Sequence, residues 1–266
     1  MDAVNYKMNI NKIIFFILFI SWSSSSYTVG DTPVKTDNNQ YFMKSKNAMV
    51  VSAEKTASEV GISVLKKGGN AIDAAAAIGY TLAVTLPRAG NLGGGGFAII
   101  YLAKEKEVIS IDFCEKAPFS ASETMFLDKE GNYNADKAQH SLHSVGVPGT
   151  VAGLEYIRKN YGKLSRKEVI QPAINLARDG IIVTDELEES LRKVKKIMRK
   201  SPSSFKTYYK KNGETYTKGE VLKQPELAWS LKQISEHGKS AFYEGAIAKK
   251  IISMMELNNG LITSRD

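Results

Sequence analysis

Gly90 and Gly93 to Gly96 put five glycines into seven positions, and that run decides more about the fold than any other feature of the chain. Glycine is used where the backbone takes positive φ or where another group approaches too closely for a side chain. The run feeds an apolar stretch, Phe97 to Ala103, then a charged turn, Lys104 to Glu107, then Val108 to Phe113. A glycine loop entering a β-hairpin is expected, with the polar segment I-D-F-C-E-K-A-P (111–118) where the second strand ends. A phosphate loop needs Lys-Ser/Thr and a helix after its glycines, and the dinucleotide fingerprint also opens a helix. Here Phe97-Ala98 and a strand follow. The residues alone predict a tight passage between buried layers.

The rest of the chain reads mainly as helix. Met49 to Val51 suggests a short strand before a helix from about Ala53 to Lys67, stopped by Gly68-Gly69. Asn70, with Asp73 three positions on, caps a helix that is apolar nearly all round through Val84 and should be buried. Met125 to Tyr133 and Ser141 to Val147 resemble strands, and Pro148-Gly149 opens a helix to about Lys159. Ser165 and Glu168 form a capping box for a helix closing at Gly180, and Thr184 caps the next. Ser201 to Gly219 reads as irregular and exposed, with further helices near Pro225 to Glu236 and Ala241 to Glu256. Strands in hairpins beneath more numerous helices predict an α+β fold rather than βαβ units.

Lys7 and Lys12 precede the short apolar run Ile13 to Trp22, and Ser24 and Ser26 follow as small residues. That is the pattern of a secretory signal peptide over 1–26, too short for a membrane span of about 20 residues. A flexible leader, 27–48, and a single unit, 49–266, should follow in a periplasmic or secreted protein without a membrane association after cleavage. The net charge of +8 is concentrated between Arg192 and Lys211, where nine Lys or Arg occur without an acid. Leu187, Leu191, Val194 and Met198 recur there at helical spacing, so the charges form a solvated face rather than a nucleic-acid surface. A module for an acidic polymer is the one binding reading the run supports.

Cys114 is the only cysteine, and His140, His143 and His237 match no metal-ligand spacing, so no metal or other cofactor is expected. No Ser-His-Asp or Cys-His-Asn set assembles around Cys114. Loops held by a sheet often carry binding residues, but Glu115 and Lys116 alone read as ordinary surface charges, and the residues by themselves do not make Cys114 a nucleophile.

Eight segments, in order, resemble the γ-glutamyltranspeptidase family: V-V-S-A-E-K-T-A-S-E-V-G, K-G-G-N-A-I-D-A-A-A-A, P-R-A-G-N-L-G-G-G-G-F, I-D-F-C-E-K-A-P, S-V-G-V-P-G-T-V-A-G-L, Q-P-A-I-N-L-A-R-D-G, F-Y-E-G-A-I-A and G-L-I-T-S-R-D. The resemblance implies an N-terminal nucleophile hydrolase, two β-sheets stacked between helical layers, of which this chain resembles the N-terminal part of the large subunit. It also implies transfer or hydrolysis of γ-glutamyl groups, with glutathione as a typical substrate. The family's nucleophile is a threonine exposed by self-cleavage, whose own amine can serve as base. It opens a Thr-Thr-His motif, which these 266 residues lack. No catalytic residue is therefore expected in this chain, and a C-terminal half supplied separately is an expected partner. Where the family has a substrate-carboxylate arginine, this sequence has Cys114; Arg88 is the nearby cation that could substitute. The alternatives are a truncated relic, half of a split enzyme, or a transpeptidase acting on poly-γ-glutamate.

Overall fold

The computed structural model describes residues 45–266 and the backbone of Val4–Tyr6. The expected targeting segment, apart from Val4–Tyr6, and residues 27–44 of the leader lie outside the described residues. Strand β1 is Val4–Tyr6, and helices α1, Lys55–Lys66, and α2, Ala71–Thr85, precede the hairpin of β2, Phe97–Leu102, and β3, Glu107–Asp112. A short helix α3, Ala135–His140, leads to α4, Thr150–Tyr161, and α5, Arg166–Asp179. Then come β4 (Ile181–Ile182), α6 (Asp185–Met198), α7 (Pro202–Tyr208) and β5 (Val221–Leu222). The helices α8 (Pro225–His237), α9 (Lys239–Tyr243) and α10 (Ala246–Leu257) complete the described chain. Among the described residues, no helix is long and apolar enough to cross a membrane.

α2 is the centre of the core, as its composition requires. Ala74, Ala76, Ala77, Tyr80, Ala83 and Val84 are all buried, and the helix packs against α1, α4 and α5. Small residues let these helices close up: a β-carbon at Gly79 would stand 2.9 Å from the Leu154 side chain of α4. The helix start is fixed by a buried carboxylate. Asp73 completes the capping box with Asn70, and it also accepts hydrogen bonds from the backbone N–H groups of Lys163 and Leu164 at 2.9–3.1 Å. At the other end Gln224, itself buried, donates to the Val84 carbonyl at 2.8 Å.

Asp73→Ala removes a fully buried carboxylate and leaves the part-buried N–H groups of Asn70, Lys163 and Leu164 without their acceptor. A loss of about 3 kcal/mol is expected, from roughly 1–3 kcal/mol per unsatisfied buried group. Thermal unfolding should fall by roughly 6–12 °C, given about 2–4 °C per kcal/mol at this size. A midpoint unchanged within error would show that water replaces the carboxylate at no cost.

The sheet is antiparallel throughout, in the order β1-β3-β2, with Ile100 opposite Ile109 and Ala98 opposite Ile111. Those residues face the helices, whereas Phe97, Ile99, Tyr101 and Val108 stand exposed on the outer face. A sheet with apolar side chains on both faces is built to be covered on both. β4 and β5 form a separate two-residue ladder after α5.

Several expectations are corrected by local chemistry. Met49–Val51 is not a strand. Met125–Tyr133 is mostly a turn, because the Asp128 carboxylate accepts from the N–H groups of Glu130 and Asn132 at 3.0 and 2.8 Å. Ser141–Val147 is a short 3₁₀ turn in which the Ser141 and Ser144 hydroxyls bond the backbone, leaving only Val147 bridged to Lys116. Ser201–Gly219 is not all irregular and exposed, since it contains α7 and the buried Tyr209, stacked on Phe205 at 4.4 Å. The helix expected over Ala241–Glu256 is two helices, α9 and α10, separated at Glu244-Gly245.

Candidate functional site

The glycine run, the loop after β3 and the start of α4 meet at one end of the hairpin. Phe113 extends the β2–β3 ladder by one pair, donating to the Gly96 carbonyl at 2.9 Å. The Gly94 carbonyl accepts from the N–H groups of Gly149 and Thr150 at 2.8 and 2.9 Å, so the loop caps the otherwise uncapped start of α4. Side chains are excluded on every side. A β-carbon at Gly95 would stand 2.7 Å from the Cys114 Cα, and one at Gly149 would overlap the Phe113 carbonyl. A β-carbon at Gly153 would overlap the Phe113 ring, which lies against α4. None of Gly90 and Gly93–Gly96 has positive φ; close approach explains Gly90 and Gly94–Gly96, while nothing lies within 4 Å of a β-carbon at Gly93 and the structure gives no reason for that glycine.

This packing fixes the backbone of residue 114 and leaves its side chain outside. Cys114 is exposed. Its N–H donates to the Asp112 carboxylate at 2.9 Å, and its thiol donates to Glu115 Oε2 at 3.4 Å. That hydrogen bond, some desolvation and the nearby Glu115 and Asp112 charges push the thiol pKa above its ordinary value. A thiol held protonated is a weak nucleophile near neutral pH.

The loop is also held from the far end of the sequence. Asp266 Oδ1 accepts from the Phe119 N–H at 2.7 Å, while Oδ2 accepts from the N–H and hydroxyl of Thr263 at 2.8 and 3.0 Å. The Arg265 guanidinium lies 4.5 Å from the Phe119 ring centre, a cation–π contact. Partial burial opposes the Asp266 charge, but the Phe119 and Thr263 hydrogen bonds outweigh it and keep the carboxyl pKa low. Sequence reading passed over this clamp; the T-x-x-D spacing of Thr263 and Asp266 was its local signal.

Arg88 is elsewhere. It lines a cleft of about 290 Å³ with Glu54, Thr85, Ile182, Leu187 and Ser190, and no residue of the 111–118 loop contributes to that cleft. Arg88 and the Cys114 loop line no common cleft. Four of the nine cations of the basic run form ion pairs with the protein's own carboxylates: Arg192 with Glu188, Lys193 with Glu189, Lys200 with Asp136 and Lys210 with Glu220.

Residues 57–266 match the family model described as Gamma-glutamyltranspeptidase. The chain belongs to the γ-glutamyltranspeptidase family. The glutathione hydrolase proenzyme of Escherichia coli (strain K12) is 46% identical over 224 residues, which is 84% of this chain and 38% of that protein. The glutathione hydrolase proenzyme of Bacillus subtilis (strain 168) is 36% identical over 252 residues, 94% of this chain and 43% of that protein. Among solved structures, the Helicobacter pylori γ-glutamyltranspeptidase superposes with a TM-score of 0.82 at 43% identity, covering 85% of this chain and 64% of that one. The Bacillus anthracis transpeptidase enzyme CapD superposes with a TM-score of 0.65 at 36% identity, covering 80% of this chain and 66% of that one. The fold is thus the α+β arrangement of the N-terminal nucleophile hydrolases, present in part. The chain spans about two-fifths of the curated γ-glutamyltranspeptidase relatives it matches.

Proposed function

We propose that these residues form the substrate-binding framework of an enzyme that transfers or hydrolyses γ-glutamyl groups, on glutathione and related compounds. The observation that carries this is the Cys114 loop: its backbone is locked by glycine contacts while its side chain is presented outward. In this reading residue 114 faces the α-carboxylate of the γ-glutamyl donor, and the nucleophile comes from chain outside these 266 residues. A transpeptidase on poly-γ-glutamate is the second reading, supported by the likeness to the B. anthracis transpeptidase. The higher TM-score of 0.82 against 0.65 favours the first. Ion pairing of four of the basic run's nine cations reduces the charge left for a polymer-binding module, which has no other support in the chain.

The 266-residue polypeptide expressed by itself should release no chromophoric amine from a γ-glutamyl anilide. It has no Thr-Thr-His motif, and its one thiol is held protonated. The same assay separates a split enzyme from a relic, because a separately encoded catalytic half should restore turnover only in the first case. Turnover by the polypeptide alone, abolished by mutating one of its residues, would demand a different nucleophile.

Export to the periplasm or exterior belongs to the same reading. The lysines, short apolar core and serines of residues 1–26 predict a mature N-terminus near Tyr27, so the mature sheet would lose β1 and keep the β2–β3 hairpin. N-terminal sequencing of exported protein checks this, and a chain still beginning at Met1 would count against it.

A further inference from the structure

A second cleft, of about 420 Å³, opens between α4, the start of α5 and the α8–α9 junction, and none of its lining residues belongs to the hairpin or the Cys114 loop. Its polar groups are unevenly charged. Lys159, Arg166, His237 and Lys239 line it, with Glu155 as the one acid. Glu155 is already committed: Oε1 accepts from Arg158 Nε at 3.0 Å, and Oε2 from Arg166 Nε at 2.5 Å and Arg158 Nη2 at 3.4 Å. One carboxylate therefore faces two guanidinium groups, and Lys159 and Lys239 make no ion pair among the described residues. The cleft retains an excess of fixed positive charge.

Arg166 is the informative residue. Its side chain is only 31% exposed, and its Nε anchors it to a nearly buried carboxylate. Arg158 spends Nη1 on the Leu164 carbonyl, whereas Nη1 and Nη2 of Arg166 donate to no acceptor among the described residues. The guanidinium lies against Gly238, where a β-carbon would stand 2.8 Å from Cζ and where φ is +71°. A glycine at that turn therefore leaves room for the flat group at the wall of the cleft. A planar fork with free donors, held in place, matches two oxygens of a carboxylate or phosphate. The volume is within the range of small-molecule sites, about 300–1,000 Å³, and exceeds what an inorganic oxyanion alone would fill.

We infer that this cleft is an anion site for a small carboxylate- or phosphate-bearing molecule, gripped by the Arg166 fork and steered by Lys159 and Lys239. It is independent of the γ-glutamyl reading and of residue 114. The test is calorimetric titration of the full chain with inorganic phosphate and, separately, with succinate, using sodium chloride at matched ionic strength as reference. Saturable binding with a midpoint on the order of 1 mM is expected for at least one of them, as a single charged fork supplies affinity of that scale. Binding of phosphate alone or of succinate alone supports the site and assigns its class. A Lys159→Glu, Lys239→Glu double variant, which alters only exposed residues, should weaken the binding at least tenfold with an unchanged circular dichroism spectrum. Arg166→Lys, which keeps the charge beside Glu155 and removes the fork, should weaken it by a similar factor. Heats no different from those of chloride, or undiminished binding by the double variant, would overturn the inference.

Discussion

On the proposed function, replacing Cys114 with arginine should raise kcat/KM for γ-glutamyl substrates by one to two powers of ten when the catalytic half is supplied, either in trans or within a single repaired precursor. The expectation follows from the chemistry of the two side chains. A guanidinium offers a planar pair of donors and a permanent charge to a carboxylate, whereas the thiol is short, neutral and already bonded to Glu115. Hydrogen bonds to charged groups contribute about 1.5–3 kcal/mol, and each 1.4 kcal/mol is tenfold. Three controls sharpen the result. The gain shrinks for donors whose α-carboxylate is amidated; Cys114→Ser gives none; and neither substitution shifts the thermal midpoint, because the side chain is exposed. Equal activity of the cysteine and arginine forms would mean that the carboxylate is held by a different residue. Arg88 is poorly placed for that, on its separate cleft with Glu54.

Gly149→Ala destabilises the protein by about 3 kcal/mol or more. At φ −111° and ψ −20° the position suits any residue, so backbone conformation does not forbid alanine there. An unhindered Gly→Ala change would stabilise by about 0.4–1 kcal/mol through the unfolded chain. Opposing that, the new methyl group overlaps the Phe113 carbonyl, an atom fixed in the ladder with Gly96. Overpacking costs about 1–3 kcal/mol where side chains yield, and more where only backbone can move. Chemical denaturation measures the difference. Stabilisation of about half a kcal/mol or more would show that the loop after β3 moves freely away from α4.

What could be read from the residues follows the range of the interactions. The caps at Asn70, Ser165 and Thr184 were legible because each acts within one helical turn. The burial of α2 was legible from a surface that is apolar nearly all round. Ser141–Val147 misled because two serine hydroxyls compete for backbone that an alternating pattern would assign to a strand. The ordering of Tyr209 depends on Phe205 and on the Leu191 carbonyl that its hydroxyl reaches at 2.6 Å, and neither is visible as periodicity. At the site, the glycine run announced a close approach without naming what approaches. For Gly95 and Gly96 that partner is the 113–115 backbone and the Phe113 ring, and for Gly90 it is the Leu82–Ala83 backbone of α2; all are tertiary. So is the Asp266 bond to Phe119, which joins positions 147 residues apart.

The exposure of the Cys114 side chain on a locked backbone has a consequence for how such a chain changes over generations. Mutations at Gly95, Gly149 or Gly153 are visible to folding quality control, because each drives an atom into its neighbour. A mutation at 114 is invisible to it, since the side chain there touches little beyond Glu115. Selection for a foldable polypeptide therefore preserves these glycines and says nothing about residue 114, whose identity is maintained only while the activity that uses it is.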